Sequence, residues 1–194
     1  MTTTVIRYED HEEVPWNNGL GVTREVANAF RPDGTLIWRV SMATIDKDGA
    51  FSDFSGAKRI QILLTGAGFV LDFGGHGSAA MKEPFNPATF EGGWPTSARN
   101  VIGKNQVLNV VTASAHADGR VAVQQVDSDG LQLARGGSLR LFYVLTGALN
   151  AEIQGQTMMV KQGEALRMDN DASTGLVMPA DEPTLVYRID IDLA

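Results

Sequence analysis

The sequence predicts an all-β protein built from two small, related β-barrels, and three observations predict it. The first is an internal echo. Leu63-Leu64-Thr65-Gly66-Ala67-Gly68-Phe69-Val70-Leu71 returns as Val144-Leu145-Thr146-Gly147-Ala148-Leu149-Asn150-Ala151-Glu152, with Thr65 and Thr146 146 − 65 = 81 residues apart. A unit repeated once over that distance marks two modules rather than a solenoid, which needs several short repeats. The second is that strand-like runs dominate, and no long window carries the apolar spacing of an amphipathic helix. The third is turn chemistry at short intervals. The chain has 21 glycines, and Pro32-Asp33-Gly34, Asp46-Lys47-Asp48-Gly49 and Asp127-Ser128-Asp129-Gly130 punctuate the runs.

Taken in order, residues 36–45 alternate large apolar with small or polar residues, the period-2 pattern of a strand. Residues 59–64 do the same. Further strands are expected at 107–112, 120–126, 139–145, 157–160 and 184–191. The segment 81–105 holds Pro84, Pro87, Pro95, Gly92 and Gly93 and is the loosest. It is expected as a structured loop with short strands, wrapping between the halves. The module boundary is expected within 114–119.

Composition narrows the function. The 194 residues suffice for one large domain or two small ones, and 43% hydrophobic content supports a sizeable core. The net charge of −7 argues against nucleic acid, whose binders carry a basic stripe, and against an anionic membrane surface. It reads as a solubility feature. No run of apolar residues reaches the ~18 needed to span a bilayer. The chain has no cysteine, which removes disulfides, thiolate nucleophiles and cysteine–zinc sites and fits a cytoplasmic protein. The start, Met1-Thr2-Thr3-Thr4-Val5-Ile6-Arg7-Tyr8, lacks a basic region followed by an apolar run, so no export signal is expected.

Enzymatic motifs are sparse. His11, His76 and His116 are far apart and form no His-x-His pair, so they read as surface or loop histidines, and no metal or other cofactor is expected. There is no Gly-x-Ser-x-Gly elbow, and Gly74-Gly75-His76-Gly77 lacks the spacing of a phosphate loop. Carboxylate pairs could be assembled from Glu25, Asp53 and Asp72, but nothing selects them, so no catalytic residue is assigned.

What stands out is a polar constellation in the first half. Trp16-Asn17-Asn18-Gly19-Leu20-Gly21-Val22-Thr23-Arg24-Glu25 leads an aromatic and two amides into a strand start. Arg39 and Ser41 share one face of their strand, and Arg59 and Gln61 one face of theirs. If those faces line a barrel interior, an arginine fork in a semi-closed pocket would bind a carboxylate bidentately. The alternative is that these arginines form ordinary ion pairs, for example with Glu25 or Asp53.

These residues carry a resemblance. Trp16-x-Asn18-Gly19-x-Gly21-x-Thr23-Arg24-Glu25, Trp38-Arg39-x-Ser41-x-Ala43, and Asp48-Gly49-x-Phe51-Ser52-x-Phe54-x-Gly56-x-x-Arg59 resemble the HutD/Ves-like family. Leu64-x-Gly66, Pro84-Phe85, Phe90-Glu91-Gly92 and Leu108-Asn109 extend it across nearly the whole chain. A departure is Val110-Val111-Thr112, where the family more often has a bulkier residue before the threonine.

The resemblance implies a bicupin: two small jelly-roll-like β-barrels, an N-terminal cupin barrel at 1–115 with the pocket and a C-terminal one at 116–194. It implies an accessory or regulatory protein of histidine utilisation. The expectation is a cytoplasmic, metal-independent protein that binds a small anionic metabolite, such as urocanate, a formylated amino acid or formate. The expected ligand-binding set is Trp16, Asn18, Thr23, Arg24, Arg39, Ser41, Arg59 and Gln61. This leans away from an enzyme. Two alternatives remain open: a cofactor-free isomerase or hydrolase using the same pocket, and an interaction protein with a vestigial pocket. The partner is a small carboxylate, with no nucleic acid and no membrane, and a homodimer is compatible.

Overall fold

The computed structural model describes residues 2–16, 22–133, 137–169 and 175–194. It is all-β, with nineteen strands and two 3-10 turns among the described residues. No helix in them is long and apolar enough to cross a membrane. The chain divides into two compact units, Glu12–Asp118, and Met1–His11 together with Gly119–Ala194. Division at 115/116 had put residues 1–11 with the N-terminal half. The structure groups them with the C-terminal unit, because the first strand, β1 (Thr2–Ile6), joins a sheet of that unit.

The Glu12–Asp118 unit contains β2 (Glu12–Pro15), β3 (Val22–Phe30), β4 (Leu36–Ile45), β5 (Gly49–Ala50), β6 (Ala57–Thr65) and β7 (Phe69–Asp72). It continues with β8 (Ser78–Met81), β9 (Pro87–Glu91), β10 (Ser97–Arg99) and β11 (Asn105–Ala113). The larger sheet runs β2-β3-β4-β11-β6-β9 and the smaller β5-β10-β7-β8. The segment 81–105 therefore does not wrap between halves. It supplies β9 to one sheet and β10 to the other. β6 lies inside the sheet between β11 and β9 and is buried on both faces along most of its length, so its polar Arg59 and Gln61 are buried along with its aliphatic residues.

The other unit adds β12 (Ala117–Val126), β13 (Leu131–Leu133), β14 (Leu139–Thr146), β15 (Ala148–Ile153), β16 (Gln156–Lys161), β17 (Ala165–Asp169), β18 (Gly175–Pro179) and β19 (Thr184–Leu193). Its sheets run β1-β17-β14-β19-β12 and β13-β18-β15-β16. Neighbour for neighbour, β12-β19-β14-β17 repeats β4-β11-β6-β9, and β13-β18-β15-β16 repeats β5-β10-β7-β8.

The echo in sequence is thus an echo in topology. Gly66 follows β6 and Gly147 follows β14, each with positive φ (117° and 77°), where the chain passes from the larger sheet to the smaller. A Cβ at Gly66 would lie 2.3 Å from Asn105 Oδ1, and one at Gly147 2.7 Å from Thr184 Oγ1. Asn105 and Thr184 open the equivalent strands β11 and β19. Even the irregularity repeats: the β6–β11 ladder slips between Leu63 and Thr65, and the β14–β19 ladder between Val144 and Thr146.

The two sheets of each unit pack around their own core. Ile45, Leu63 and Val107 meet Phe69, Leu71 and Ala98 in the first, and Phe142, Val144 and Val186 meet Leu149, Ala151 and Val177 in the second. Each fully buried Val, Leu, Ile or Phe among them contributes about 1.5–3 kcal/mol. The hydrogen-bond ladders keep the two sheets of each unit separate among the described residues, so the expected closed barrels are two-sheet units. The glycine turns carry the chain between sheets without carrying the ladder with it.

Candidate functional site

β4, β11 and β6 lie side by side, and their register builds the site. Ser41 stands opposite Asn109, which stands opposite Gln61. Arg39 stands opposite Val111, which stands opposite Arg59. Residues directly opposite on paired strands point to the same face, so Arg39, Ser41, Asn109, Arg59 and Gln61 project together. Two residues further on, the same face carries Ala43, Val107 and Leu63 and enters the apolar core. One end of the interior is therefore apolar and the other polar. The polar end encloses a cavity of about 350 Å³, closed by Trp16, Thr23, Phe51, Ser52 and Phe54.

Arg59 is only 6% exposed. Its Nη1 donates to the Ser52 carbonyl and its Nη2 to Asn109 Oδ1, both at a long 3.4 Å, and its Nε has no partner. Among the described residues no carboxylate pairs with it. Aromatic faces surround it instead, with Cζ 5.4, 5.1 and 5.0 Å from the ring centroids of Phe51, Phe54 and Phe90. Burial first, and then the charge of Arg39, lower its pKa to about 10. The sheet thus holds a buried guanidinium that no described carboxylate pairs, an arrangement that favours an incoming anion.

Arg39 differs. Its Nη1 donates to Glu25 Oε1 at 3.2 Å, and Glu25 Oε2 accepts from Asn28 Nδ2 at 2.6 Å. For Arg39 the ion-pair alternative holds. For Arg59 it does not, and Asp53, the other suggested partner, is engaged elsewhere: its Oδ1 accepts from the backbone N–H and Oγ of Ser55 at 2.7 and 2.8 Å. That turn shapes the loop carrying Phe51 and Phe54. Phe54 N–H donates to the Gly92 carbonyl at 3.0 Å, and a Cβ at Gly92 would lie 2.4 Å from the Phe54 carbonyl oxygen. Only glycine lets the two backbones approach so closely.

Of the expected set, Trp16, Thr23, Arg39, Ser41, Arg59 and Gln61 line one cavity. Trp16 Nε1 donates to Thr23 Oγ1 at 2.8 Å, bracing the wall. Arg24 does not join them. Alternation along β3 turns it away from the face of Thr23, and it pairs with Glu13 on β2. Asn18 lies outside the described residues. Asn109, Phe51 and Phe54 were missed as site residues. Asn109 was legible as a lone amide among aliphatics at an inward position of 107–112. The phenylalanines sit in a loop, where no periodicity tells which way a ring turns.

The lining residues include no Asp, Glu, His or Lys, so nothing on the described walls would titrate near neutrality as a general acid or base. Elsewhere, the His11 ring lies 5.4 Å from Tyr8 and that of His76 stacks on Trp94 at 4.6 Å. Among the described residues no three His, Asp or Glu side chains converge as metal ligands would.

Comparison with known proteins gives one family. Residues 8–186 match the HutD family model. The chain is 33% identical over 113 residues to an uncharacterised 21.2 kDa protein of the hutC 3′ region of Pseudomonas putida, a match spanning 56% of this chain and 57% of that protein. It is 32% identical to Protein Ves of Cronobacter sakazakii over 135 residues, 69% of this chain and 71% of Ves. A conserved protein of unknown function from Pseudomonas aeruginosa PAO1 superposes with a TM-score of 0.86 at 24% identity. HutD from Pseudomonas fluorescens SBW25, solved in a formate condition, superposes with 0.81 at 24% identity. Each of these two pairs covers 100% of both chains. A Cupin 2 conserved barrel domain protein from Leptotrichia buccalis matches with 0.61 at 11% identity, over 93% of this chain and 96% of that one. At these identities the structural matches speak for the fold, which is cupin-like.

Proposed function

Since the chain belongs to the HutD family, we propose that it binds a small carboxylate-bearing metabolite in the cavity of the Glu12–Asp118 unit, as an accessory or regulatory protein of histidine utilisation. The observation that carries the reading is Arg59: buried, charged, ringed by aromatic faces and left without a carboxylate. A ligand carboxylate supplies the missing counter-charge, and a planar guanidinium receives it through two parallel N–H donors. The volume of about 350 Å³ suits a compact organic acid.

The names of the relatives, HutD and a protein of the hutC 3′ region, support histidine utilisation as the source of the ligand, with urocanate, a formylated amino acid and formate as the class. The same reading takes the two units as an open bicupin of jelly-roll type and the protein as cytoplasmic. It is metal-independent on the chemistry of the walls, since the Arg59 guanidinium repels a cation and the described lining offers no Asp, Glu or His to hold one. Binding is favoured over the alternative of a cofactor-free isomerase or hydrolase, because no described wall residue offers a proton-transfer group of suitable pKa. The test is a thermal-shift and calorimetric screen of histidine-pathway carboxylates. A ligand specific for the folded state raises the melting temperature. Saturable binding without turnover supports the reading, turnover would replace it with the enzyme, and no binding by any of them would leave the cavity vestigial.

A further inference from the structure

Asn109 Oδ1 is shared by two donors, Arg59 Nη2 at 3.4 Å and Gln61 Nε2 at 3.0 Å. This sharing fixes the polarity of the row. A guanidinium only donates, so Asn109 must present oxygen to it. Gln61 reaches that same oxygen only with its NH2 group. The consequence falls on the other end of the Gln61 amide. Its Oε1 is buried and accepts no hydrogen bond, on a side chain 2% exposed that lines the cavity. A buried acceptor left empty is costly, and rotating the Gln61 amide would set its oxygen against Asn109 Oδ1, two acceptors facing each other.

We infer that Gln61 is a specificity-determining residue that selects carboxylates carrying a neutral O–H or N–H donor. This rests on the carboxylate reading above and narrows it: Arg59 takes the anionic end, and Gln61 Oε1 takes the donor. The donor is neutral because Arg59 faces the cavity with no carboxylate on it among the described residues, while Glu25 already pairs with Arg39, and an ammonium group there meets the Arg59 charge. Gln61 and Arg59 are two residues apart on one strand face and share the Asn109 oxygen, so the donor and the carboxylate belong to one small molecule.

The test is calorimetric titration of the whole protein with matched acids: propanoate against 2-hydroxypropanoate and 3-hydroxypropanoate, butanoate against 4-hydroxybutanoate, and alanine as the ammonium counterpart. At least one hydroxy acid should bind about tenfold or more tighter than its parent, and alanine no better than propanoate. Gln61→Met keeps the volume and removes the acceptor, so it should erase the hydroxyl preference while plain acids still bind. Gln61→Glu should pair with Arg59 and block all of them. Equal binding of hydroxy and plain acids by the wild-type protein would overturn the inference and leave the carboxylate reading standing. So would a preference that survives Gln61→Met. Failure of every acid to bind, plain ones included, would instead overturn the carboxylate reading itself, and this inference with it.

Discussion

Arg59 and Arg140 hold the same place in two copies of one topology, 140 − 59 = 81 residues apart on β6 and β14, and they meet opposite electrostatic surroundings. Opposite Arg140 on β19 stands Asp190, whose Oδ1 accepts from Arg140 Nε at 2.6 Å while Oδ2 accepts from Arg188 Nε at 2.8 Å. Opposite Arg59 on β11 stands Val111. Two residues along, Phe142 fills the core of one unit where Gln61 faces the cavity of the other. The duplicated fold fills these two places with an ion pair and a core aromatic ring in one unit, and in the other gives them to a cavity-lining arginine and glutamine with no described carboxylate on the guanidinium. On the proposed reading, a binding site arises here by withholding a partner rather than by adding a catalytic group.

The comparison can be broken most forcefully from the paired side. Asp190→Ala leaves Arg140 without its carboxylate in a place where both side chains are about 90% buried, and stability should fall by about 3–5 kcal/mol in urea unfolding. A loss below about 1 kcal/mol would mean that the pair matters little. The reciprocal change, Val111→Asp, installs the missing carboxylate beside Arg59. Carboxylate binding should weaken by a hundredfold or more while the protein still folds, and unchanged affinity would show that Arg59 is not the anion contact. Next in size is Arg59→Lys. It keeps the charge but loses the fork, and should weaken binding roughly ten- to a hundred-fold, for a charged hydrogen bond of about 1.5–3 kcal/mol. Arg140→Lys should leave affinity intact in the same calorimetry. Equal losses from the two would end the asymmetry.

The pH dependence follows from the lowered pKa of Arg59. Its charged form is destabilised in the fold. In the ligand-free protein this cost is present at neutral pH and fades as pH rises above about 10 towards the ordinary guanidinium range. Binding needs a charged Arg59 and an ionised ligand. It should be level between roughly pH 5 and 9, fall below about pH 4 as the ligand protonates, and fall again above about pH 10. Loss of binding near pH 7 would point to a different group. The smallest effect is that of the ring between the two arginines: Phe54→Leu should weaken binding only a few-fold, for about 0.5–1 kcal/mol of cation–π and packing support.

Sequence alone determined the fold class, the duplication and half of the site. The period-2 runs are local patterns, and they marked the longer strands such as β4, β6, β11, β14 and β19 and placed Arg39 with Ser41, and Arg59 with Gln61, on one face, while short strands such as β5, β8 and β13 left no such mark. The same alternation turns Arg24 away from Thr23, a local consequence that the motif obscured. The tertiary structure decided which arginine is left without a partner. That depends on which residue of a strand far along the chain falls opposite, 190 − 140 = 50 positions on for Arg140 and 111 − 59 = 52 for Arg59, and Asp190 for one and Val111 for the other is settled by ladder register and by the slips near Leu63 and Val144. The same holds for Asp53, drawn into a turn with Ser55, for the rings of Phe51 and Phe54, and for β1, which pairs with β17 far along the chain. Periodicity tells which way a side chain points. Only packing and register tell what it meets there.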